Sequence, residues 1–403
     1  MRQLPVGQHA NAREIVEERN TNMQETGISE IGMPLRLGRI ARVWWTLSGL
    51  LSLLACLAGP TRTVAQSLSK GKGDLRVMTY NVNGGTDYLE IQQARALNQF
   101  PVAVGQTITQ VRVTNSPERM QAVAKQIIAA GPALVGLQGL DEWYTSPFSP
   151  LTGCGSPTLE FNFLQELQDA LAAQGAHYTV AKEAQQYAFP LIPGFIPPST
   201  LLCVAVTDHV AILARTDLDT AKFQWRNPQS AQYAATLQFP SPLGLLPLPR
   251  AWVSVDATFN GKAFRFIGTH LESVVPSVRE AQGAELRAGP ANTSLPVILA
   301  MDSNALAFPL PLDPTYMDFI AAGYNDAWTQ IFPLVPGLTC CQAQLDNNPV
   351  SELYQRIDLI LTRGNIEAQN IALFGAAPST KTPGGLWPSD HAGVAAQLVV
   401  EQE

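Results

Sequence analysis

The sequence predicts an α+β protein in which two mixed β-sheets pack against each other. Many short runs of apolar and β-branched residues occur along the chain, and few amphipathic helical segments lie between them. Polar strings rich in His, Asp and Asn follow several of these runs. Many strands with few intervening helices favour two packed sheets over one doubly wound sheet.

The predicted elements begin near residue 75. The alternating run Leu75–Tyr80 predicts a first strand, and Gly84-Gly85 ends the pattern after it. Ser116-Pro117-Glu118 supplies a cap, a first-turn proline and a first-turn acid, so it predicts a helix that ends at Gly131. The other predicted elements are a buried strand over 133–137, a helix over 161–173, and strands over 210–214, 253–259, 264–269, 297–300, 358–361 and 394–399.

Two regions, 146–204 and 226–251, are interpreted as insertions in this pattern. Residues 188–205 carry no charge and include four prolines. The sequence predicts a Pro-rich loop packed on the domain here. The alternative is a lip that touches lipid or an apolar substrate.

The first 65 residues are typical of an export signal. Three arginines precede the apolar stretch Val43–Thr61, and Thr63-Val64-Ala65 offers small residues for cleavage. Met33 would start a signal of ordinary length, with residues 1–32 as an extension. Two alternatives are an uncleaved anchor at the outer face of the membrane and lipidation at Cys56. The predicted domains are therefore 1–65, a linker over 66–74 and one domain over 75–403.

Charge and cysteine content fit an exported protein of one large domain. The first 65 residues hold seven of the 26 basic and five of the 33 acidic residues, so the remaining chain has a net charge of −9. Such a charge opposes broad binding of nucleic acid through a basic face. Four cysteines remain, and Cys154 with Cys203 is the preferred disulfide pair. Cys340 and Cys341 could bridge each other or reach elsewhere.

Five polar strings occur in a fixed order, each at an end of an apolar run. They are Thr79-Tyr80-Asn81-Val82-Asn83, Thr269-His270-Leu271, Met301-Asp302-Ser303-Asn304, Arg356-Ile357-Asp358 and Ser389-Asp390-His391. This order resembles the endonuclease/exonuclease/phosphatase superfamily, and its secreted bacterial members in particular, over residues 75–399. The resemblance implies a deoxyribonuclease I-like, four-layer α-β-β-α sandwich with the site at one edge.

The resemblance also implies catalytic roles for residues in the last three strings. His391 corresponds to the general base or phosphate ligand, and Asp358 would fix the tautomer of its imidazole. Asp302 and Asn304 match the Asp-x-Asn motif that orients the attacking water and binds the phosphoryl group. Met301 replaces the glycine that usually precedes this motif, so the tight turn there is expected to be altered.

Further roles follow from the same resemblance. His270 would bind the phosphate or donate to the leaving oxygen, and Asp208 would orient this histidine unless it only caps a turn. Asn81 matches the strand-end residue that contacts metal or phosphate, and Asp390 would be a metal or phosphate-side ligand. The implied cofactor is Mg²⁺ or Mn²⁺.

One position departs from the family pattern. The second strand is normally followed by Leu-Gln-Glu, whose Glu is the principal metal ligand, but this chain has Leu137-Gln138-Gly139. Glu142 or Asp141 could supply the missing carboxylate. Alternatively, Asn81 and Asp390 hold the cation with waters, or much of the activity is lost.

The resulting expectation is an exported, metal-dependent phosphoesterase that acts by in-line attack of water and works as a monomer without a membrane span after cleavage. Its substrate would be a nucleic acid, a phospholipid or a small phosphate ester. The alternative function is a module that binds a phosphorylated ligand without turnover, and Gly139 favours it.

Overall fold

Seventeen strands and seven α-helices are present in the computed structural model, which describes residues 74–401. The strands are β1 (Leu75–Asn81), β2 (Leu134–Gln138), β3 (Glu142–Ser149), β4 (Gly153–Cys154), β5 (Thr158–Asn162), β6 (Tyr178–Ile196), β7 (Thr200–Arg215), β8 (Phe223–Gln232), β9 (Leu237–Ser241), β10 (Gly244–Leu248), β11 (Ala251–Phe259), β12 (Lys262–His270), β13 (Val297–Asp302), β14 (Asn325–Asp326), β15 (Asp358–Arg363), β16 (Ile366–Phe374) and β17 (Gly393–Val400). The helices are α1 (Leu89–Gln93), α2 (Phe100–Val113), α3 (Ser116–Ala130), α4 (Phe163–Ala173), α5 (Pro276–Ala288), α6 (Pro314–Ala321) and α7 (Ala327–Ile331).

The strands form two large mixed sheets and one hairpin. In the nine-stranded sheet the order is β16, β17, β1, β2, β7, β3 and β4, with β5 paired to β3 and β6 paired to β7. In the six-stranded sheet the order is β14, β15, β13, β12, β11 and β8, and β9 pairs with β10 apart from both sheets. Each large sheet contains a parallel pair, β1 with β2 and β12 with β13, among antiparallel neighbours.

Three apolar cores define four layers, because successive side chains of a strand point to opposite faces of its sheet. In β1, Val77 faces the core between the two sheets, whereas Met78 faces the helices α2, α3 and α4. In β13, Ile298 lies in the core between the sheets, and Leu299 packs in a third core with residues of α5 and α6. The predicted four-layer α-β-β-α sandwich is therefore confirmed.

Most predicted strands and both predicted helices are present, with ends shifted by a few residues. Gly131 follows α3 in the left-handed region with φ of 60°, as a helix-ending glycine should. Helix α2 was not predicted. Its interleaved β-branched and polar residues, such as Val104 and Thr107, hide the helical period, although Pro101 marks its first turn.

The prediction of a Pro-rich loop over 188–205 is wrong, because this segment continues β6 and begins β7. Strand β6 pairs with β7 alone, and the register shifts twice between Gln185 and Ile192. Proline is tolerated at such irregular positions of an edge strand, because no hydrogen bond between strands requires an N–H group there. The predicted disulfide between Cys154 and Cys203 is confirmed, with Cα atoms 5.8 Å apart.

Cys340 and Cys341 form a bridge with each other. No helix among residues 74–401 is long and apolar enough to cross a membrane. The predicted signal, anchor or lipidation segment within residues 1–65 lies outside the described residues.

Candidate active site

The edge of the two sheets brings the predicted polar strings together. His270 at the end of β12 is the register partner of Asp302 at the end of β13, and Asp302 is paired with Asp358 at the start of β15. Asn81 ends β1 in the other sheet, and its Nδ2 donates to Asp302 Oδ2 at 2.8 Å. The site therefore bridges the two sheets, and strand register fixes the spacing of three of its side chains.

His391 and Asp358 form a buried pair, with Nδ1 and Oδ2 2.8 Å apart. Burial raises the pKa of Asp358 to about 6, against the opposing effect of the histidine. Burial also disfavours a charged imidazole, but the Asp358, Asp390 and Asp302 carboxylates outweigh it and raise the pKa of His391 well above its usual range. With Nδ1 bound to the carboxylate, the ring directs Nε2 towards the cavity that His391 lines.

Asp302 lies at the centre of the cluster and is almost fully buried. Its Oδ1 accepts from the main-chain N–H of Asn304 at 2.9 Å, and its Oδ2 lies 3.4 Å from His270 Nε2. Burial opposes ionisation, but the two neighbouring histidines and the hydrogen bonds from Asn81 and Asn304 lower the pKa of Asp302. The carboxylate is thus held ionised by donors on several sides. Asn304 has φ of 48° and donates through Nδ2 to Leu271 O at 3.0 Å.

His270 is oriented by an arginine that the sequence analysis missed. Arg250 Nη1 donates to His270 Nδ1 at 3.2 Å. Because Nδ1 accepts, the imidazole proton sits on Nε2, the atom that faces Asp302. Burial, followed by the charge of Arg250, lowers the pKa of His270 to about 3, so this ring is neutral. Arg250 is the sole charged residue between Arg226 and Asp256, which is the sequence signal that could have singled it out.

Asp208 lies in the same cavity but contacts Arg250 rather than His270. Its Oδ2 accepts from Gln186 Nε2 at 2.6 Å and lies 3.8 Å from Arg250 Nη1. It therefore reaches the histidine only through the arginine. Burial raises the pKa of Asp208, and burial with the Asp208 charge raises the pKa of its neighbour Asp141 well above the usual range.

Glu142 is not brought to the cavity. Its Oε1 accepts from Asn162 Nδ2 at 2.6 Å, and its Oε2 accepts from the Tyr144 hydroxyl at 2.7 Å. Asp141, by contrast, lines the cavity, and its Oδ2 accepts from the Tyr88 hydroxyl at 2.6 Å. Between the two acids that follow Gly139, the structure places Asp141 at the site.

The side chains at the cavity suit the divalent cation that the sequence resemblance implies. Asn81, Asp141 and Asp390 offer oxygen atoms, the ligands that Mg²⁺ and Mn²⁺ prefer. Buried Asp208 and Asp141 are neighbouring carboxyl groups, which concentrates negative charge on this wall of the cavity. A cation would keep both carboxylates ionised. The residues present therefore fit the metal, with Asp141 in place of Glu142.

A buried arginine supports the loop that follows Asn81. Arg119 donates to the main-chain oxygens of Val82 and Asn83 at 2.8 and 2.9 Å. Asn83 Nδ2 in turn donates to Asp346 Oδ2 at 3.1 Å, and Asp346 lies 3.7 Å from Arg119. Neither charged residue was singled out in the sequence, and the contacts of Asp346 with Asn83 and Arg119 join segments more than 200 residues apart.

The site lines a cavity of about 220 Å³. Its lining residues carry five acidic groups, one arginine, two histidines and several amides, hydroxyls and glycines: Asn81, Asn83, Gly84, Thr86, Asp87, Tyr88, Gly139, Asp141, Tyr187, Asp208, Arg250, His270, Ser273, Asp302, Asn304, Asp390 and His391.

Comparison with solved structures decides the fold family. An endonuclease/exonuclease/phosphatase family protein from Bacteroides thetaiotaomicron superposes with a TM-score of 0.50 and 17% identity, covering 82% of this chain and 98% of that one. The chain has the endonuclease/exonuclease/phosphatase fold. The fold that the sequence motifs implied is thereby confirmed.

Two other solved structures are also similar to this chain. A mannosyl-6-phosphatase from Bacteroides thetaiotaomicron has a TM-score of 0.48 and 17% identity, with 81% of this chain and 99% of that one covered. D. rerio TDP2 complexed with a single-strand DNA product has a TM-score of 0.46 and 16% identity, with 81% and 99% covered. No protein-family model and no curated protein matches the chain.

Proposed function

We propose that the protein is an exported, divalent-metal-dependent phosphoesterase that hydrolyses a phosphodiester or phosphomonoester by in-line attack of water. The observation that carries this proposal is the hydrogen-bonded cluster at one cavity. Asp302 accepts from Asn81, His391 is bound to Asp358, and His270 accepts from Arg250. A phosphoryl group needs donors for its oxygens and an acceptor for the proton of water, and this cluster supplies both.

The ionisation states of His391 and Asp302 assign them the roles of hydrogen-bond donor and proton acceptor. The carboxylates around His391 raise its pKa well above the usual range, so Nε2 carries a proton and donates to a phosphoryl oxygen. Asp302 is ionised because its pKa is lowered, which leaves the carboxylate able to accept the proton of the attacking water. Asp358 acts as a positioning residue that holds the His391 ring in place.

Arg250 and His270 bind the phosphate from the other side of Asp302. The guanidinium supplies fixed positive charge, and the neutral imidazole turns its Nε2–H, which lies 3.4 Å from Asp302 Oδ2 without substrate, to a phosphoryl oxygen. Asn81, Asp141 and Asp390 would hold the divalent cation, and Asn81 would also contact the phosphate together with Asn304. When bound, the cation neutralises charge on the phosphoryl oxygens and lowers the pKa of water.

Export is supported by the signal-like segment before residue 66 and by the Cys154–Cys203 disulfide, which persists in oxidising compartments. The second candidate function is a phosphate-ligand binding module without turnover. Gly139 favours it, because this residue removes the metal-binding carboxylate of the family pattern.

Hydrolysis of a chromogenic phosphodiester and of a chromogenic phosphomonoester tests the proposal. We expect turnover with Mg²⁺ or Mn²⁺, its loss in EDTA and its return when metal is added back. Asp302→Asn should reduce turnover at least about a hundredfold, the usual scale for a positioned acid–base group. Asp169→Asn, which alters an exposed carboxylate on α4, is the matched control. Binding of phosphate without turnover of either ester under any metal condition would favour the binding module.

A further inference from the structure

Three adjoining cavities, together called the channel below, begin at the active site. A second cavity of about 130 Å³ shares Asp87, Tyr88, Tyr187, Arg250 and Ser273 with the active-site cavity. A third cavity of about 50 Å³ shares Tyr88, Ile91, Phe189 and Phe239 with the second. Tyr88 lines all three, so one continuous wall runs from the phosphate site to the third cavity, called the distal cavity below.

The walls change from charged to apolar along this channel. The distal cavity is lined by aliphatic and aromatic side chains, and its few polar atoms are already bound within the protein. The Tyr88 hydroxyl donates to Asp141, Trp143 Nε1 donates to a main-chain oxygen of the Gly84 loop, and the Thr107 hydroxyl donates to a main-chain oxygen of its own helix. The distal cavity therefore offers hydrocarbon contact and no free hydrogen-bonding group.

Two segments without charged residues build the outer walls. The hairpin of β9 and β10, over residues 237–248, contributes Phe239 and Leu246 to the distal cavity. The uncharged part of β6 contributes Phe189 and Ile192. At the tip of the hairpin Leu243 is 53% exposed, and Leu245 on the following strand is 66% exposed. These two exposed leucines lie on the same hairpin as Phe239 and Leu246.

We propose that the substrate is a phosphate ester of an alcohol that carries a hydrocarbon chain. Its phosphate lies between His391 and Arg250, and its chain passes Tyr88 into the distal cavity. The proposal rests on the phosphoesterase function proposed above and specifies its substrate class. A nucleotide base in the distal cavity would leave its polar edge without partners, and the net charge of −9 after residue 65 opposes a polyanion.

Binding of phosphonates to the full-length wild-type protein tests the ligand class without turnover, because their carbon–phosphorus bond is not an ester. Isothermal titration compares octylphosphonate with methylphosphonate in Mg²⁺, below the micelle concentration. We expect octylphosphonate to bind at least about tenfold more tightly, the effect of burying about two methylene groups. Phe239→Asp and Leu246→Asp should abolish this difference and leave the affinity for methylphosphonate unchanged.

Leu151→Asp is the matched control, because Leu151 is 95% exposed and does not line the channel. This variant should retain the full preference for octylphosphonate. Equal affinity for the two phosphonates in the wild-type protein would overturn the proposed substrate class. Loss of the preference in Leu151→Asp as well would also overturn it, since the effect would then not come from the channel.

Measurements of turnover test the substrate class independently of the phosphoesterase function. The values of kcat/KM are compared for monomeric lysophosphatidylcholine, glycerophosphocholine and a thymidine dinucleotide. The ester with the chain should be preferred at least about tenfold over the other two. Equal rates, or a preference for the dinucleotide, would overturn the substrate class while leaving the phosphoesterase function intact. If no ester is hydrolysed but octylphosphonate is still preferred through Phe239, the phosphoesterase function fails and the apolar ligand site stands.

Discussion

Replacing Gly139 by alanine tests how closely the end of β2 is fitted to Asn81. Gly139 has φ of +68°, a left-handed conformation that costs an L-residue about 1–2 kcal/mol. A Cβ atom there would lie 2.6 Å from Asn81 Oδ1 and 3.1 Å from Asn83 N. Asn81 would have to move, and its hydrogen bond to Asp302 would move with it.

Gly175 provides a control with the same backbone conformation. It has φ of +76°, and a Cβ atom there would meet nothing within 4 Å. Gly175→Ala should therefore lower the free energy of unfolding by about 1–2 kcal/mol through backbone strain alone. Gly139→Ala should lower it further and should reduce kcat by about ten- to a hundredfold, because a misplacement of about 1 Å near reacting groups has effects on that scale.

Urea denaturation and steady-state hydrolysis of the same phosphodiester measure the two effects. Equal effects of Gly139→Ala and Gly175→Ala on both stability and turnover would exclude a close fit between Gly139 and Asn81. The family pattern has a metal-binding glutamate at position 139. A glutamate there would place its Cβ in the same contact with Asn81. The absent carboxylate therefore cannot be restored at this position without displacing Asn81.

Three further outcomes are expected. His391→Ala should reduce turnover at least about a hundredfold with folding retained, as measured by kinetics at matched pH and by circular dichroism. Near wild-type rates would exclude the proposed role of the His391 ring as a donor to a phosphoryl oxygen. Asp141→Asn should raise the Mg²⁺ concentration for half-maximal activity at least about tenfold, whereas Glu142→Gln should leave this concentration unchanged. A larger effect of Glu142→Gln than of Asp141→Asn would place the cation at Glu142. N-terminal sequencing of the exported protein should find Gln66 at or near its start, whereas an intact Val43–Thr61 in the membrane fraction would support an anchor.

The sequence alone determined the main elements and the residues at their ends. Alternation and β-branching identify β1, and a proline after Ser116 with Gly131 at the other end defines α3. These are local signals, because backbone sterics and side-chain direction act within a few residues. The order of the polar strings also indicated the fold family and placed His391, Asp302 and Asn81 at one site.

The sequence was misleading where local and tertiary preferences conflict. Residues 188–205 contain four prolines, a composition typical of loops, yet they form parts of two strands. Pairing with β7, the bulges in β6 and burial in the core between the nine-stranded sheet and its helices outweigh the local preference.

Only the tertiary structure decided which groups complete the site. Arg250 and Asp141 belong to no motif and become part of the site because the start of β11 and the segment after β2 lie at the same cavity. Glu142 is adjacent to Asp141 in sequence, but it points away, since successive residues in extended chain face opposite sides. The channel from Tyr88 to Phe239 likewise joins segments about 150 residues apart. Local sequence fixes what each strand end carries, whereas the packing of distant segments fixes which ends meet.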